Sequence, residues 1–471
     1  MTFRLALRPL LALAVLLAPG AARAQGFGVN EIGSCAVARS YAVVGAPCAD
    51  ASTIFWNPGF AATLRGWSVL AGVAAIDLAG DFERDTIGTV YETTAPVAPV
   101  PHLFVNYNAP NSRRSVGLGV YVPYGLTMEW GDDFPGRFQA QRASIATIYV
   151  QPNFGVRIKE SWSVGGGPVF AHSTVELKRS IDLSEQPTGT PIIPTFAHLG
   201  IPRRTEFARA DLEGSAIGVG GQIGVHGRLN PDWTVGARFL LPIWFEYEGD
   251  VVFTPVPTGL TLGGAVPSPT TGFTPPAIPA GTPVDALVAS QFTSGALTPQ
   301  SVRTKVVHPA QIQAGFGYTG FPNLTLALDY AWVGWKHLNK IVLDFQGGAP
   351  DATLIQEYNH SSAIRVSAEY ALQQIQGARL RAGFSGVATA APDATVTPLL
   401  PEQDRNYMTV GAGLPIWRAW TVDAAYARVN TAGRRGRIVE RTNVSQTATQ
   451  LNTGVFTLGA NVFSVSLKGS F

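Results

Sequence analysis

Phe463-Ser464-Val465-Ser466-Leu467-Lys468-Gly469-Ser470-Phe471 closes the chain, and its reading decides the fold. The odd positions are mostly apolar, while Ser464, Ser466, Lys468 and Ser470 are polar. A period of two held to the last residue is a β-strand with two unlike faces. The same alternation recurs upstream. Leu324, Leu326, Leu328, Tyr330 and Trp332 share one face with Thr325, Ala327 and Asp329 opposite. Ile364, Val366, Ala368 and Tyr370 alternate with Arg365, Ser367 and Glu369, and Trp420, Val422, Ala424 and Tyr426 with Thr421 and Asp423. A soluble sandwich shows this pattern too. Many of these strands, however, exceed the usual length and carry aromatics near their ends, where a bilayer interface would sit.

Composition sharpens the choice. Of 471 residues only 14% are charged, Gly numbers 51 and Pro 34, and the net charge is +2. Residues 1–24 read as a targeting segment: Arg4 and Arg8 precede the apolar run Leu10 to Ala18, and Ala22-Arg23-Ala24 ends in a small-x-small pattern. Beyond it no stretch has the 18 uninterrupted apolar residues of a membrane helix. An exported, weakly charged, strand-patterned chain is expected in the outer membrane as a β-barrel. Near-neutral charge argues against a nucleic-acid partner.

Fourteen segments carry the strand pattern: 67–80, 99–109, 114–127, 143–158, 161–178, 212–229, 232–249, 302–319, 322–336, 362–373, 377–388, 406–415, 418–430 and 456–471. Short connections such as Ala109-Pro110-Asn111, Lys159-Glu160 and Asn230-Pro231-Asp232 alternate with long ones near 81–98, 179–211, 250–301, 337–361, 389–405 and 431–455. That asymmetry puts the short turns and both chain ends in the periplasm. The Pro- and Gly-rich loop 250–301 is expected to be irregular, with a short helix near Val284 to Gln291. The fold expected is all-β: a 14-stranded antiparallel transmembrane barrel over 67–471.

Residues 25–66 lack a strand period. A barrel this wide has a lumen to fill, and this segment is the candidate hatch, or plug. Ile54, Phe55 and Trp56 offer apolar surface to the wall or to cargo, and Asn57-Pro58 supplies a turn. The two cysteines, Cys35 and Cys48, lie 13 apart in this segment, and in an oxidising compartment a disulfide is expected, contributing about 3 kcal/mol.

Several stretches resemble one family. Gly26-Phe-Gly-Val-Asn30-Glu31 through Ala49-Asp50-Ala51-Ser52 to Asn57-Pro58 is similar to the amino-terminal hatch of FadL/TodX-type transporters, outer-membrane channels for long-chain fatty acids and other hydrophobic compounds. The similarity continues through Tyr121-Val-Pro-Tyr-Gly125-Leu126, Phe134-Pro-Gly-Arg-Phe138, Asp329-Tyr-Ala-Trp-Val-Gly-Trp335 and Pro398-Leu-Leu-Pro-Glu-Gln-Asp-Arg405-Asn406. Gly59 departs from the Ala usual after Asn-Pro, and the cysteine pair is absent from the best-known members. The resemblance implies a fourteen-stranded barrel plugged by its N-terminal domain. It also implies capture of cargo at the outer loops, hatch movement, and lateral release through a kinked third strand. The terminal Phe471 resembles the signal read by barrel-assembly machinery.

Pro123 supplies a physical cause for such a kink. It lies inside the third predicted strand, where it cannot donate to the ladder, and Gly125 follows; Pro123, Tyr124 and Gly125 are thus the expected opening. For a carboxylate cargo the head-group candidate is Arg137, flanked by Phe134 and Phe138, with Lys178, Arg179, Arg203 and Arg204 as alternatives. Asp329, Arg365, Glu369, Arg381 and Asp423 fall on polar strand faces and are expected to form a lumenal charge network, because charge facing lipid is costly. Expected partners are a hydrophobic small molecule, outer-membrane lipid and lipopolysaccharide, and the assembly machinery, around a monomer.

No cofactor or metal is expected. The seven histidines show no HExxH spacing, no Walker loop occurs, and His360-Ser361-Ser362 is the nearest approach to a catalytic pairing. The leading reading is therefore a passive channel, not an enzyme. Aromatic hydrocarbons are the alternative cargo, and a lipolytic enzyme or a general porin the rival functions.

Overall fold

The closing strand turns Phe463, Val465 and Leu467 outward, 55%, 53% and 40% exposed, and buries Ser464 and Ser466. A membrane wall reverses the inside-out rule of a soluble sheet in this way, because lipid takes the apolar face and a polar interior the other. The structure, a computed structural model, describes residues 26–85, 88–188, 193–264, 278–439 and 446–471. The expected targeting segment lies outside the described residues, as do positions 86–87, 189–192, 265–277 and 440–445 of the long loops.

Fourteen antiparallel strands form the wall. They are β1 (Gly66–Arg84), β2 (Ala98–Asn108), β3 (Arg114–Glu129), β4 (Arg142–Lys159), β5 (Trp162–Asp182), β6 (Glu206–Arg228), β7 (Trp233–Leu240 and Ile243–Pro255) and β8 (Gln300–His308 and Gln311–Phe321). The circuit continues with β9 (Leu324–Val333), β10 (Ser361–Ala371), β11 (Arg379–Val387), β12 (Arg405–Trp417), β13 (Trp420–Thr431) and β14 (Gly454–Ser470). Each pairs with the next, and β1 pairs with β14 from Ser68↔Ser470 to Arg84↔Gly454, so the sheet closes on itself. Closure leaves no free edge, the condition for strands to cross a membrane. Among the described residues no helix is long and apolar enough to do so.

Strand bounds follow the sequence reading closely, except that β5 and β6 run on together to Asp182 and from Glu206, and the seventh strand runs on to Pro255. β7 and β8 are each interrupted, at Leu241-Pro242 and Pro309-Ala310. Proline has no N–H to give the ladder, and the two breaks face each other, with Leu240↔Gln311 on one side and Ile243↔His308 on the other. The loop after β7 carries α3 (Val284–Thr293), which packs Val284 and Val288 into an apolar cluster with Leu199, Phe207 and Leu262.

Residues 26–65 lie inside the circuit of strands. They include α1 (Ser34–Ala38) and α2 (Thr53–Trp56), both wholly buried. So short and irregular a segment pairs only part of its own backbone, and the remaining buried amides and carbonyls must find partners. Inward-facing polar wall residues provide them. Asp329 accepts from Val44 N at 2.6 Å and Gly45 N at 3.2 Å. Arg238 donates to Phe55 O at 2.9 Å, Thr409 to Ala38 O at 3.0 Å, and Asn108 to Ala62 O at 2.9 Å. Ser34 meets both Ser464 and Ser466 at 2.8 Å. The polar inner faces of several strands, the closing one among them, thus hold the N-terminal segment. Cys35 and Cys48 are joined in a disulfide, which ties α1 to the loop before α2.

Candidate functional site

The β2–β3 ladder fails beside the N-terminal segment. β3 pairs with β2 only from Tyr107↔Val116 to His102↔Tyr121. From Val122 onward β3 has left β2, while Ala98 to Pro101 of β2 stay paired to β1. On its other side β3 keeps β4 but slips: Tyr121 faces Tyr149, Tyr124 faces Thr147, and Val122 and Pro123 together face Ile148. Two residues against one is a β-bulge, which bends a strand. Pro99, Pro101 and Pro123 flank the gap, so three positions around it have no N–H to donate.

The freed part of β3 is met from inside by the start of the N-terminal segment. Val29 N donates to Pro123 O at 2.8 Å and Gly125 N to Phe27 O at 3.0 Å, which makes an antiparallel bridge between Gly28 and Tyr124. Phe27 is clamped edge-on by Trp335 at 4.7 Å, His308 at 5.6 Å and Tyr124 at 5.9 Å. Gly26 is required beside it: its φ of 58° favours glycine, and a Cβ there would lie 2.6 Å from Trp335.

Behind the gap lies a cavity of about 430 Å³ lined by Phe27 and Val29, by Ile76 and Leu78 of β1, by Val97 to Val100, and by Val122 and Gly125 to Met128. Its lining is chiefly apolar. Among the described residues its charged members are Glu31, Glu402 and Arg405. Glu402 accepts from Ala391 N at 3.0 Å, Ala390 N at 3.1 Å, the Thr389 hydroxyl at 3.3 Å, and Gly26 N. Arg405 donates to Gly26 O at 3.2 Å, so the two side chains hold the same residue by its amide and its carbonyl. Glu31 accepts from the Tyr41 hydroxyl and from Asn30 N, both at 2.8 Å. Burial pushes its carboxyl up from the usual range, against those hydrogen bonds.

A second cavity, of about 120 Å³, adjoins the first across Phe27, Leu126, Ile145 and Leu400. Val175, Leu177, Leu212, Val306 and Ile341 line it, and its charged member among the described residues is Glu176, paired with Arg142 at 2.9 Å.

The head-group candidates lie elsewhere. Arg137 pairs with Glu206 at 3.4 Å and sits 4.7 Å over the Phe138 ring, and Lys178 pairs with Asp211 at 3.3 Å and Glu176 at 3.6 Å. Phe134 stacks on Trp130 at 4.4 Å within an apolar cluster that includes Phe82 and Phe456. None of the four lines either apolar cavity.

Ile54, Phe55 and Trp56 are buried in the N-terminal segment, with Phe55 4.9 Å from Tyr121 and the Trp56 indole donating to Ile32 O at 2.8 Å; they too are off the cavities. Asn57 bonds Val44 O and Val225 O, and Pro58 packs on Gly224.

The five lumenal charges divide into two sets. Glu369 pairs with Arg381 at 2.7 Å and with Arg379 at 3.3 Å, and Arg381 also pairs with Asp423. Asp329 and Arg365, cross-strand neighbours, turn instead to the N-terminal segment, Arg365 reaching Tyr41 O at 3.4 Å. His360 lies on Trp332 at 4.9 Å while Ser361 is buried at the start of β10, so that pairing has no catalytic geometry among the described residues.

Glu402 and Arg405 lie in the family-like stretch Pro398 to Asn406, where the sequence alone assigns them no role. Two opposite charges three residues apart at the start of a predicted strand were the available signal.

Comparison with known proteins bears on the family and the fold. A family model described as "Outer membrane protein transport protein (OMPP1/FadL/TodX)" matches residues 15–471. The "47 kDa outer membrane protein" of Pasteurella multocida is 23% identical over 421 residues, 89% of this chain and 90% of its own length. A "Long-chain fatty acid transport protein" of Escherichia coli is 26% identical over 249 residues, 51% of this chain and 55% of that one. Among solved structures, a Pseudomonas aeruginosa FadL homologue superposes with a TM-score of 0.76 at 18% identity, covering 95% of this chain and 100% of that one. The P. putida toluene transporter TodX gives 0.66 at 16%, covering 95% and 99%.

Proposed function

The chain belongs to the OMPP1/FadL/TodX family of outer membrane transport proteins, and we propose that it is a passive channel that takes up hydrophobic compounds and releases them sideways into the membrane. The observation that carries this reading is the coincidence of the β2–β3 gap with an apolar cavity directly behind it. An apolar molecule gains nothing from a watery pore, since its transfer is driven by leaving water. A route from an apolar cavity through a wall gap into lipid keeps it out of water throughout.

In this reading residues 26–65 are the hatch. Most of it is fixed: Asp329, Arg238, Thr409 and the disulfide hold residues from Cys35 onward. Gly26 to Val29 is the part that moves, since its bonds are to the kinked strand and to Glu402 and Arg405 at the cavity. Cargo is captured at the long loops, passes the smaller cavity, and displaces Phe27 to reach the gap. In this reading the short turns and both ends of the wall lie on the periplasmic side, since an even number of strands brings both ends to one face and short turns mark the periplasmic one.

Liposome swelling tests the channel type. With the hatch in place, small sugars should give almost no swelling while a hydrophobic probe equilibrates across protein-containing vesicles faster than across empty ones. Swelling at the rate of an open pore would replace this reading with a general porin.

A further inference from the structure

The charges at the cavity say what kind of molecule it takes. We infer, on the reading that the 430 Å³ cavity holds cargo, that the channel selects uncharged hydrophobic molecules and discriminates against carboxylates. An ionised carboxylate that leaves water needs an unused cation or several free donors to replace its hydration. The cavity has one cation, Arg405, and two carboxylates, Glu31 and Glu402. Glu402 accepts from three backbone amides and a hydroxyl, so its oxygens are taken up by the protein's own donors, and its formal charge offsets that of Arg405. Arg405 is also committed to Gly26 O and to the Tyr407 hydroxyl. With Glu31 protonated the cavity is neutral; with it ionised the cavity is negative. Neither state attracts an anion.

The approach to the cavity repeats the pattern. The smaller cavity presents Glu176 and no cation among the described residues, and two of the head-group candidates are already paired, Arg137 with Glu206 and Lys178 with Asp211. Among the described residues the two cavity linings hold no cation other than Arg405. A neutral alcohol or hydrocarbon of the same length meets the apolar lining without losing a charge's hydration.

The test uses full-length protein in nanodiscs at pH 8, with binding to empty discs subtracted. Dodecanol and laurate are the probes, equal in chain length and different in charge. Dodecanol is expected to bind at least about tenfold more tightly than laurate. Val97→Arg then adds an unpaired cation at an exposed position on the cavity lining, and should raise laurate binding relative to dodecanol by about threefold or more. Laurate binding as tight as dodecanol in the unaltered protein would overturn the charge selection and leave the channel reading standing. So would a ratio that Val97→Arg does not change. If neither probe binds, the channel reading fails and this inference with it.

Discussion

Proline breaks the wall at β3 and again at β7 and β8, and of these two breaks only the first is open. At β3, Pro123 and the bulge at Val122 carry the strand away from β2, and a cavity stands behind. At β7 and β8, Pro242 and Pro309 interrupt two neighbours at once, yet the register on either side of the break is kept. Pairing of β7 with β6 also lapses there, between Ser215↔Glu248 and Gln222↔Leu240. This second breach is filled. Ile243 sits so close over the neighbouring strand that a Cβ at Gly218 or Gly220 would lie 2.5 or 2.6 Å from it. Phe245 packs on His308 at 4.4 Å, and Tyr247 donates to Ser173 at 2.6 Å. A missing N–H weakens a ladder, but whether the wall opens depends on what packs behind it.

Three substitutions probe that contrast. The largest effect is expected from Ile243→Ala. It removes the filler of the closed breach, and should cost about 2–5 kcal/mol, read as a lower midpoint of heat-induced unfolding by electrophoretic mobility. An unchanged midpoint would mean that Ile243 does not seal the wall. Pro123→Ala comes next. It restores a donor at the open breach, and closing one or two ladder bonds at about 1 kcal/mol each shifts the gap toward its closed form by roughly five- to thirtyfold. Uptake of a hydrophobic probe should fall accordingly, with normal assembly. Full uptake in this variant would exclude the β2–β3 gap as the exit. The smallest effect belongs to Pro309→Ala, at most about 1 kcal/mol through the entropy of the unfolded chain. Its uptake should match the unaltered protein, because packing and not proline closes that region.

Legibility differed between wall and site for a physical reason. Alternation is a local property, so the fourteen strands and the inward polar face of β14 could be read from residues two apart. Pro123 could be read in the same way, since one residue without an N–H disturbs its own strand. The partners of the wall's polar residues could not. Asp329 and Val44 are far apart in sequence, and nothing near either indicates that the carboxylate holds two amides of the N-terminal segment. Arg137, between two aromatics, had the sequence look of a head-group site, yet its charge is taken up by Glu206, far along the chain.

By itself, then, the sequence determined what the neighbours along one strand can settle: the strands, their two faces, the alternation of short and long connections, and the proline that breaks β3. The tertiary structure alone decided which breach is open, which residues border the cavity, and that Arg405 there is matched by Glu402. The first two depend on side chains brought together from distant strands, and the third on Glu402 and Arg405 both turning to Gly26, hundreds of residues away; charge balance and packing are properties of the assembled set, not of any one segment.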